Sequence, residues 1–259
     1  MNGSLKGLAS CKDDRSGDPY GAVPCTELIE KARRKGLSMP LPAALRIARE
    51  MLDRLDRERP PASVDPRRPH RESLEISPRT IFVGPRGEVS FQWPESREPD
   101  DVGALPYMAP EHLGGWSADA RGDVFSVGAV LYELLTGKRL LQGNDLETIA
   151  RSHEADLSAI AEPTARLPLE LRLILASALA REPDERFQEA RDFADAIRAF
   201  AHHVSLPLHR GDLTAWLWTL DLWPAHSGMF PKSDLVQDFD GLPETDEDGL
   251  GDVRERRVR

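Results

Sequence analysis

Apolar positions in this chain recur with helical period over most of its length and with strand period in one short stretch. A helix is expected from Thr26 to about Lys35, stopped by Gly36. Pro40 opens a stronger one, in which Leu41, Ala44, Leu45, Ala48, Met51, Leu52 and Leu55 fall at three- and four-residue steps and make one apolar face. It ends before Pro60 and Pro61. Two short apolar runs follow, Thr80–Val83 and Glu88–Phe91, separated by Gly84, Pro85, Arg86 and Gly87, the pattern of a β-hairpin. Beyond Pro110 the helical period returns. Residues 122–136 are apolar on most sides, which predicts a buried helix closed by Gly137. Shorter helices are expected over 145–155 and 168–180, the latter opened by Pro168. Residues 187–200 carry an apolar stripe, Phe187, Ala190, Phe193, Ala194, Ile197 and Phe200. A last amphipathic helix is expected over 212–223, where Trp216, Trp218 and Trp223 crowd together.

The intervening segments lack such periods. Residues 1–22 are polar and Gly-rich and are expected to be disordered. Residues 59–72 form a Pro- and Arg-rich connector, and 94–103 an acidic surface loop. The tail from Lys232 holds the acidic run ETDED, ends in RERRVR and is again expected to be disordered. No internal repeat is present. The domain boundaries that follow are 1–22, 23–203, 204–231 for a helical extension, and 232–259.

Composition narrows the function classes. The chain has 259 residues, 34 Lys and Arg against 44 Asp and Glu, and a net charge of −10. That is enough chain for a core without disulfide staples, and the wrong sign for general nucleic-acid binding. The cysteines are Cys11 and Cys25, with no metal-ligand spacing around them, which fits a reducing, cytoplasmic setting. No signal-peptide pattern is visible, and the most apolar stretch, Val124 to Leu135, is far short of the ~20 residues of a membrane span. Lysine occurs at 6, 12, 31, 35, 138 and 232, and asparagine only at 2 and 144. Chemistry that needs either residue has few places to sit.

Three stretches carry a resemblance. Residues 103–111 read GALPYMAPE, 123–137 read DVFSVGAVLYELLTG, and 179–187 read LAREPDERF. In that order they resemble the C-terminal lobe of a bacterial, eukaryotic-like Ser/Thr protein kinase, over roughly residues 22–203. The fold this implies is mainly α: a kinase C-lobe-like helical bundle with one short β-hairpin and no N-terminal β lobe. Ala109-Pro110-Glu111 is similar to the A-P-E that closes the activation segment. The resemblance implies a buried, bidentate pair between Glu111 and Arg186. It makes Asp123 and Gly128 the aspartate and glycine of the central helix. Asp123 would accept bonds from catalytic-loop N–H groups, act as a helix N-cap, or do both.

The resemblance also locates the chemistry. Phosphoryl transfer needs held phosphates, metal ligands and a base for the hydroxyl proton. With Pro78 and Ile81-Phe82-Val83 aligned, the base position falls on Glu75, the following lysine on Ser77 and the metal-binding asparagine on Thr80. Ser73 and Leu74 take the His and Arg positions. The second arm puts D-F-G on Trp93-Pro94-Glu95. A threonine and an indole do not hold Mg²⁺ as amide and carboxylate oxygens do. His70-Arg71-Glu72 offers a second register, with Ser77 at the asparagine position, and Asp238-Phe239-Asp240-Gly241 lies too late in the chain to serve. Asp100-Asp101 reads as a solvated loop.

No G-x-G-x-x-G occurs, and the lysines before the helix at 41–55 lie in polar coil or on a helix. The residues before that helix are too few for a five-stranded lobe. The expectation is therefore a catalytically inactive, pseudokinase-like module that signals by binding a protein partner, without catalytic residues, metal or cofactor, and with no nucleic-acid or membrane partner. Trp93, Trp216, Trp218 and Trp223 are candidate contacts; packing against the lobe is the competing role for the last three. One alternative is a Ser/Thr kinase using ATP and Mg²⁺, truncated or divergent here, with Glu75 as its base. The other is a plain helical scaffold.

Overall fold

The structure, a computed structural model, describes residues 21–58, 76–92, 103–113, 119–141 and 163–222. In chain order these form β1 (Val23–Pro24), α1 (Cys25–Lys35), α2 (Leu41–Glu58), β2 (Ile81–Val83), β3 (Val89–Phe91), α3 (Pro110–Leu113), α4 (Ala120–Thr136), α5 (Leu169–Ala178), α6 (Ala190–His203) and α7 (Arg210–Thr219). The lobe is mainly helical, as the periodicity indicates.

α4 is the axis of the bundle. Val124, Phe125, Val127, Val130 and Leu131 are all buried, so it is covered on every side by α2, α5 and α6. Gly128 allows one of these contacts: a Cβ there would lie 3.1 Å from Ala178 Cβ and 3.1 Å from Leu179 Cδ2 at the end of α5. α2 buries its predicted stripe against α4 and α6. Phe187 precedes α6 rather than lying on it, and its ring stacks on Phe193 at 5.1 Å.

The sheet departs from the expected single hairpin. β2 and β3 pair antiparallel as read, with Ile81 opposite Phe91 and Val83 opposite Val89. β1 adds a third antiparallel strand, Val23 opposite Val83 and Pro24 opposite Phe82. Two residues are too few for alternation to show in sequence, and Pro24 reads as a breaker. Its place at an edge removes the need for a donor on one side.

The last helix is shorter than expected. α7 stops at Thr219, and Asp221 takes a left-handed conformation (φ 50°). Trp216 and Trp218 lie on it; Trp223 is outside the described residues. Leu213, Trp216, Leu217 and Leu220 join the same core as α2 and α4. α7 also seats the hairpin turn: at Gly87 (φ 74°) a Cβ would meet Thr214 Oγ1 at 2.9 Å and the Arg210 carbonyl at 3.0 Å. The expectations for 1–20, 59–72, 94–102, 145–155 and the tail from 232 concern residues outside the description.

Candidate functional site

The site is built on two scaffolds, the open end of the hairpin and the anchor of the segment that ends at Glu111.

At the hairpin end, residues 76–80 make a tight turn into β2. The Thr80 N–H donates to the Ser77 carbonyl at 3.1 Å. The Thr80 hydroxyl donates to the same carbonyl at 3.0 Å and accepts from the Ser77 N–H at 3.2 Å. Across the strands, the Gln92 N–H donates to the Thr80 carbonyl at 3.0 Å, so pairing continues to the last described residue of the second arm. Ser77 and Thr80 are buried. Thr80 borders a crevice with Met51, Leu55, Ile76 and Phe91, and the Arg54 guanidinium lies over the Phe91 ring, 5.6 Å from its centroid. Its proton and one lone pair are thus committed within its own turn, beside apolar neighbours. Glu75 and Trp93 flank this turn in sequence, as do Ser73 and Leu74 on one side; all four lie outside the described residues, as do Asp100 and Asp101. Among the described residues, no group of three or more His, Cys, Asp and Glu is placed to hold a metal ion.

The second scaffold is an ion pair. Arg186 Nη1 meets Glu111 Oε1 at 2.8 Å and Nη2 meets Oε2 at 2.9 Å, a bidentate fork. The remaining guanidinium donors reach backbone carbonyls: Nε to Ala180 at 2.7 Å, Nη1 to Arg121 at 3.1 Å, Nη2 to Arg181 at 2.8 Å. All five N–H groups are used, which only this side chain's planar shape permits. The ring of Phe125 lies 5.0 Å below the guanidinium. Burial works to raise the Glu111 carboxyl, but the Arg186 bonds, a backbone bond, and the charges of Arg186 and His112 together hold it below the ordinary carboxylate range.

Two expectations for α4 resolve differently. Gly128 is at the close contact with α5. Asp123 is not the N-cap: Asp119 is, accepting the Arg121 N–H at 2.8 Å, and Asp123 sits half-buried in the first turn, where a carboxylate suits the helix dipole. The N-cap must lie before the first helical residue, and the helix begins at Ala120, four residues before Val124, where its apolar run starts.

A third feature escaped sequence reading. Tyr107 donates its phenolic proton to the carboxylate of Glu133, and both are buried. Burial, then the Glu133 charge and hydrogen bond, push the phenol well above its usual range. The only signal in the sequence was an acid inside an apolar run; its partner stands 26 positions away. Lys31 and Lys35, the two lysines on the helix before α2, hold the end of α7. Lys31 Nζ donates to the Asp221 carbonyl at 2.8 Å, and Lys35 Nζ donates to the Thr219 carbonyl at 2.8 Å and pairs with Asp221.

The tryptophans divide. Trp216 is buried in the core and Trp218 half-buried. Large apolar side chains that stand exposed among the described residues are elsewhere: Leu169 and Leu173 on α5, Leu37 and Val204. No described helix is long and apolar enough to cross a membrane.

Comparison with known proteins agrees with the architecture. Residues 89–201 match the protein kinase domain family, a span that begins at β3 and takes in the Glu111–Arg186 anchor but not Thr80. The chain is 34% identical over 143 residues to the tyrosine-protein kinase MasK of Myxococcus xanthus, covering 51% of this chain and 22% of that protein. It is 38% identical over 101 residues to the serine/threonine-protein kinase PknB of Mycobacterium tuberculosis, covering 38% and 16%. It is 33% identical over 110 residues to PknL of the same species, covering 42% and 28%. The matched stretches thus span less than a third of these relatives.

Proposed function

From a chain that carries the C-terminal part of a bacterial eukaryotic-like protein kinase domain, we propose a catalytically inactive module that acts in signalling by binding a protein partner. The observation that carries this reading is the closed Ser77–Thr80 turn. Where the resemblance puts a metal-binding asparagine, a threonine directs its proton to its own loop's carbonyl. Trp93, at the position of the second metal ligand, supports the same conclusion. Glu75 alone, without metal or held phosphates, has nothing to act on, because this reaction depends on positioning and charge stabilisation. What remains intact, the Glu111–Arg186 anchor and the glycine contact at α4, preserves shape rather than chemistry.

The test is a thermal-shift titration with ATP and Mg²⁺, beside incorporation of γ-phosphate into the chain and into a generic acceptor. Neither a shift nor incorporation is expected. A ligand at 100 times its dissociation constant stabilises by about 2.7 kcal/mol, so binding would be plain. Incorporation abolished by Glu75→Ala would refute the proposal and establish the alternative, a divergent Ser/Thr kinase using ATP and Mg²⁺.

A further inference from the structure

The segment that carries α7 is bracketed by two left-handed residues. α1 and α4 end on glycines in that conformation, Gly36 (φ 66°) and Gly137 (φ 67°). The ends on either side of α7 are made differently. Ser205 (φ 52°) follows α6 and Asp221 (φ 50°) follows α7, and among the described residues these two are the non-glycine positions with positive φ. A Cβ crowds the backbone there, so each end is held under strain that the neighbouring packing must offset. Ser205 is the more strained, since aspartate visits the left-handed region more readily.

The inward face of α7 is mixed. Leu213, Leu217 and Leu220 are fully buried and Trp216 nearly so. On the same helix Asp212 Oδ2, Trp216 Nε1 and Trp218 Nε1 are shielded from solvent and find no hydrogen-bond partner among the described residues. Docking thus gains apolar burial but forgoes hydrogen bonds that water would restore on release. The polar ties of the segment lie at its margins. Arg46 Nη1 donates to the Leu208 carbonyl at 3.1 Å before the helix begins. At the far end Lys31 holds the Asp221 carbonyl, and Lys35 holds the Thr219 carbonyl and the Asp221 carboxylate. This last pair is open to solvent, with side chains 34% and 81% exposed.

We propose that residues 205–221 form a releasable strap, hinged at Ser205 and latched to α1 by Lys31 and Lys35, which opens as a unit before the rest of the lobe unfolds. Two strained ends, three unmet polar groups and a solvent-exposed latch on one segment distinguish it from α2 and α4. Gly87 in the hairpin turn packs against Thr214 and the Arg210 carbonyl. Opening therefore unseats the turn, and the state of the latch is felt in the hairpin that carries Thr80. The inference stands whether or not the lobe transfers phosphate, since it concerns the docking of α7 alone.

Amide hydrogen exchange of the full chain under native conditions, followed by mass spectrometry, tests it. Peptides over 205–221 are expected to exchange about tenfold or more faster than those over α2, α4 and α6. Lys31→Ala/Lys35→Ala, which opens the latch, should speed 205–221 and the hairpin peptides 81–91 by about three- to tenfold and leave α4 and α6 unchanged. Retained protection of α4 shows that this variant is folded. Ser205→Gly, which removes the strain at the hinge, should slow both regions. Arg191→Ala, exposed on α6, should alter neither. Four results would each overturn the proposal: 205–221 exchanging no faster than α2 and α6 in the unaltered chain, the lysine variant leaving 205–221 unchanged, the same variant speeding α6 equally, or the strap quickening without the hairpin.

Discussion

Replacing Glu111 by Gln preserves size and removes one charge from the anchor. In the folded chain the Arg186 side chain has no exposure and that of Glu111 has 19%. The guanidinium would keep its three backbone carbonyls and lose its counter-charge. Removing one partner of a buried pair costs about 3–5 kcal/mol, and the residual exposure of Glu111 places the expectation at the lower end, about 3 kcal/mol. For a domain of this size 1 kcal/mol moves Tm by about 2–4 °C, so a fall of roughly 6–12 °C is expected. Arg186→Lys should cost a similar amount, because three donors on a point charge cannot serve five acceptors set in a plane. The double variant Glu111→Leu/Arg186→Met, which leaves no lone charge, should lose less than the sum of the single losses. The pH dependence has a defined sign. The Glu111 carboxyl is held below its unfolded value, so its contribution is full above about pH 4.3 and is lost as pH falls through the lower folded value. Urea denaturation of wild type and Glu111→Gln between pH 3 and 7 should therefore show curves that converge at the acid end. A gap that stays constant across that range, or a difference below about 1 kcal/mol at pH 7, would refute the account of a buried, charge-compensated fork.

Three further outcomes are expected. Gly87→Ala should destabilise by about 1–3 kcal/mol in chemical denaturation, since it places a Cβ at a left-handed φ and against Thr214 and the Arg210 carbonyl; an unchanged midpoint would mean that α7 does not seat the turn. Tyr107→Phe should cost about 1–3 kcal/mol, because it strips the buried Glu133 carboxylate of its hydroxyl donor; the same denaturation assay measures it. Cys25 is fully buried and burial pushes its thiol far up, so a thiol reagent at neutral pH should label it, by peptide mapping, only after denaturant is added.

How much of this was legible in the chain differs by element. The α2 stripe, the buried α4 and the Phe193–Phe200 face were readable because each is set by a local period that burial merely confirms. The two hairpin arms were readable because a Gly/Pro turn divides two β-rich runs. β1 was not, since two residues have no period and their strand identity comes from Val83 and Phe82, some 60 positions on. The end of α7 was misplaced because Asp221 gives no warning of a left-handed conformation.

For the candidate site, sequence determined which residue types are present. Asparagine is absent between Asn2 and Asn144, and Thr80 and Trp93 stand where the resemblance expects metal ligands. It also paired Glu111 with Arg186, across 75 positions, but only through that resemblance. The tertiary structure decided what those groups do: that Arg186 spends five donors, that the Thr80 hydroxyl turns back on Ser77, and that Lys31 and Lys35 fasten a helix end. The physical reason is the range of each interaction. Hydrophobic periodicity is written within a few turns of one element, whereas a hydrogen bond, a charge pair or a close backbone approach depends on which distant atoms the packed core brings within about 3 Å.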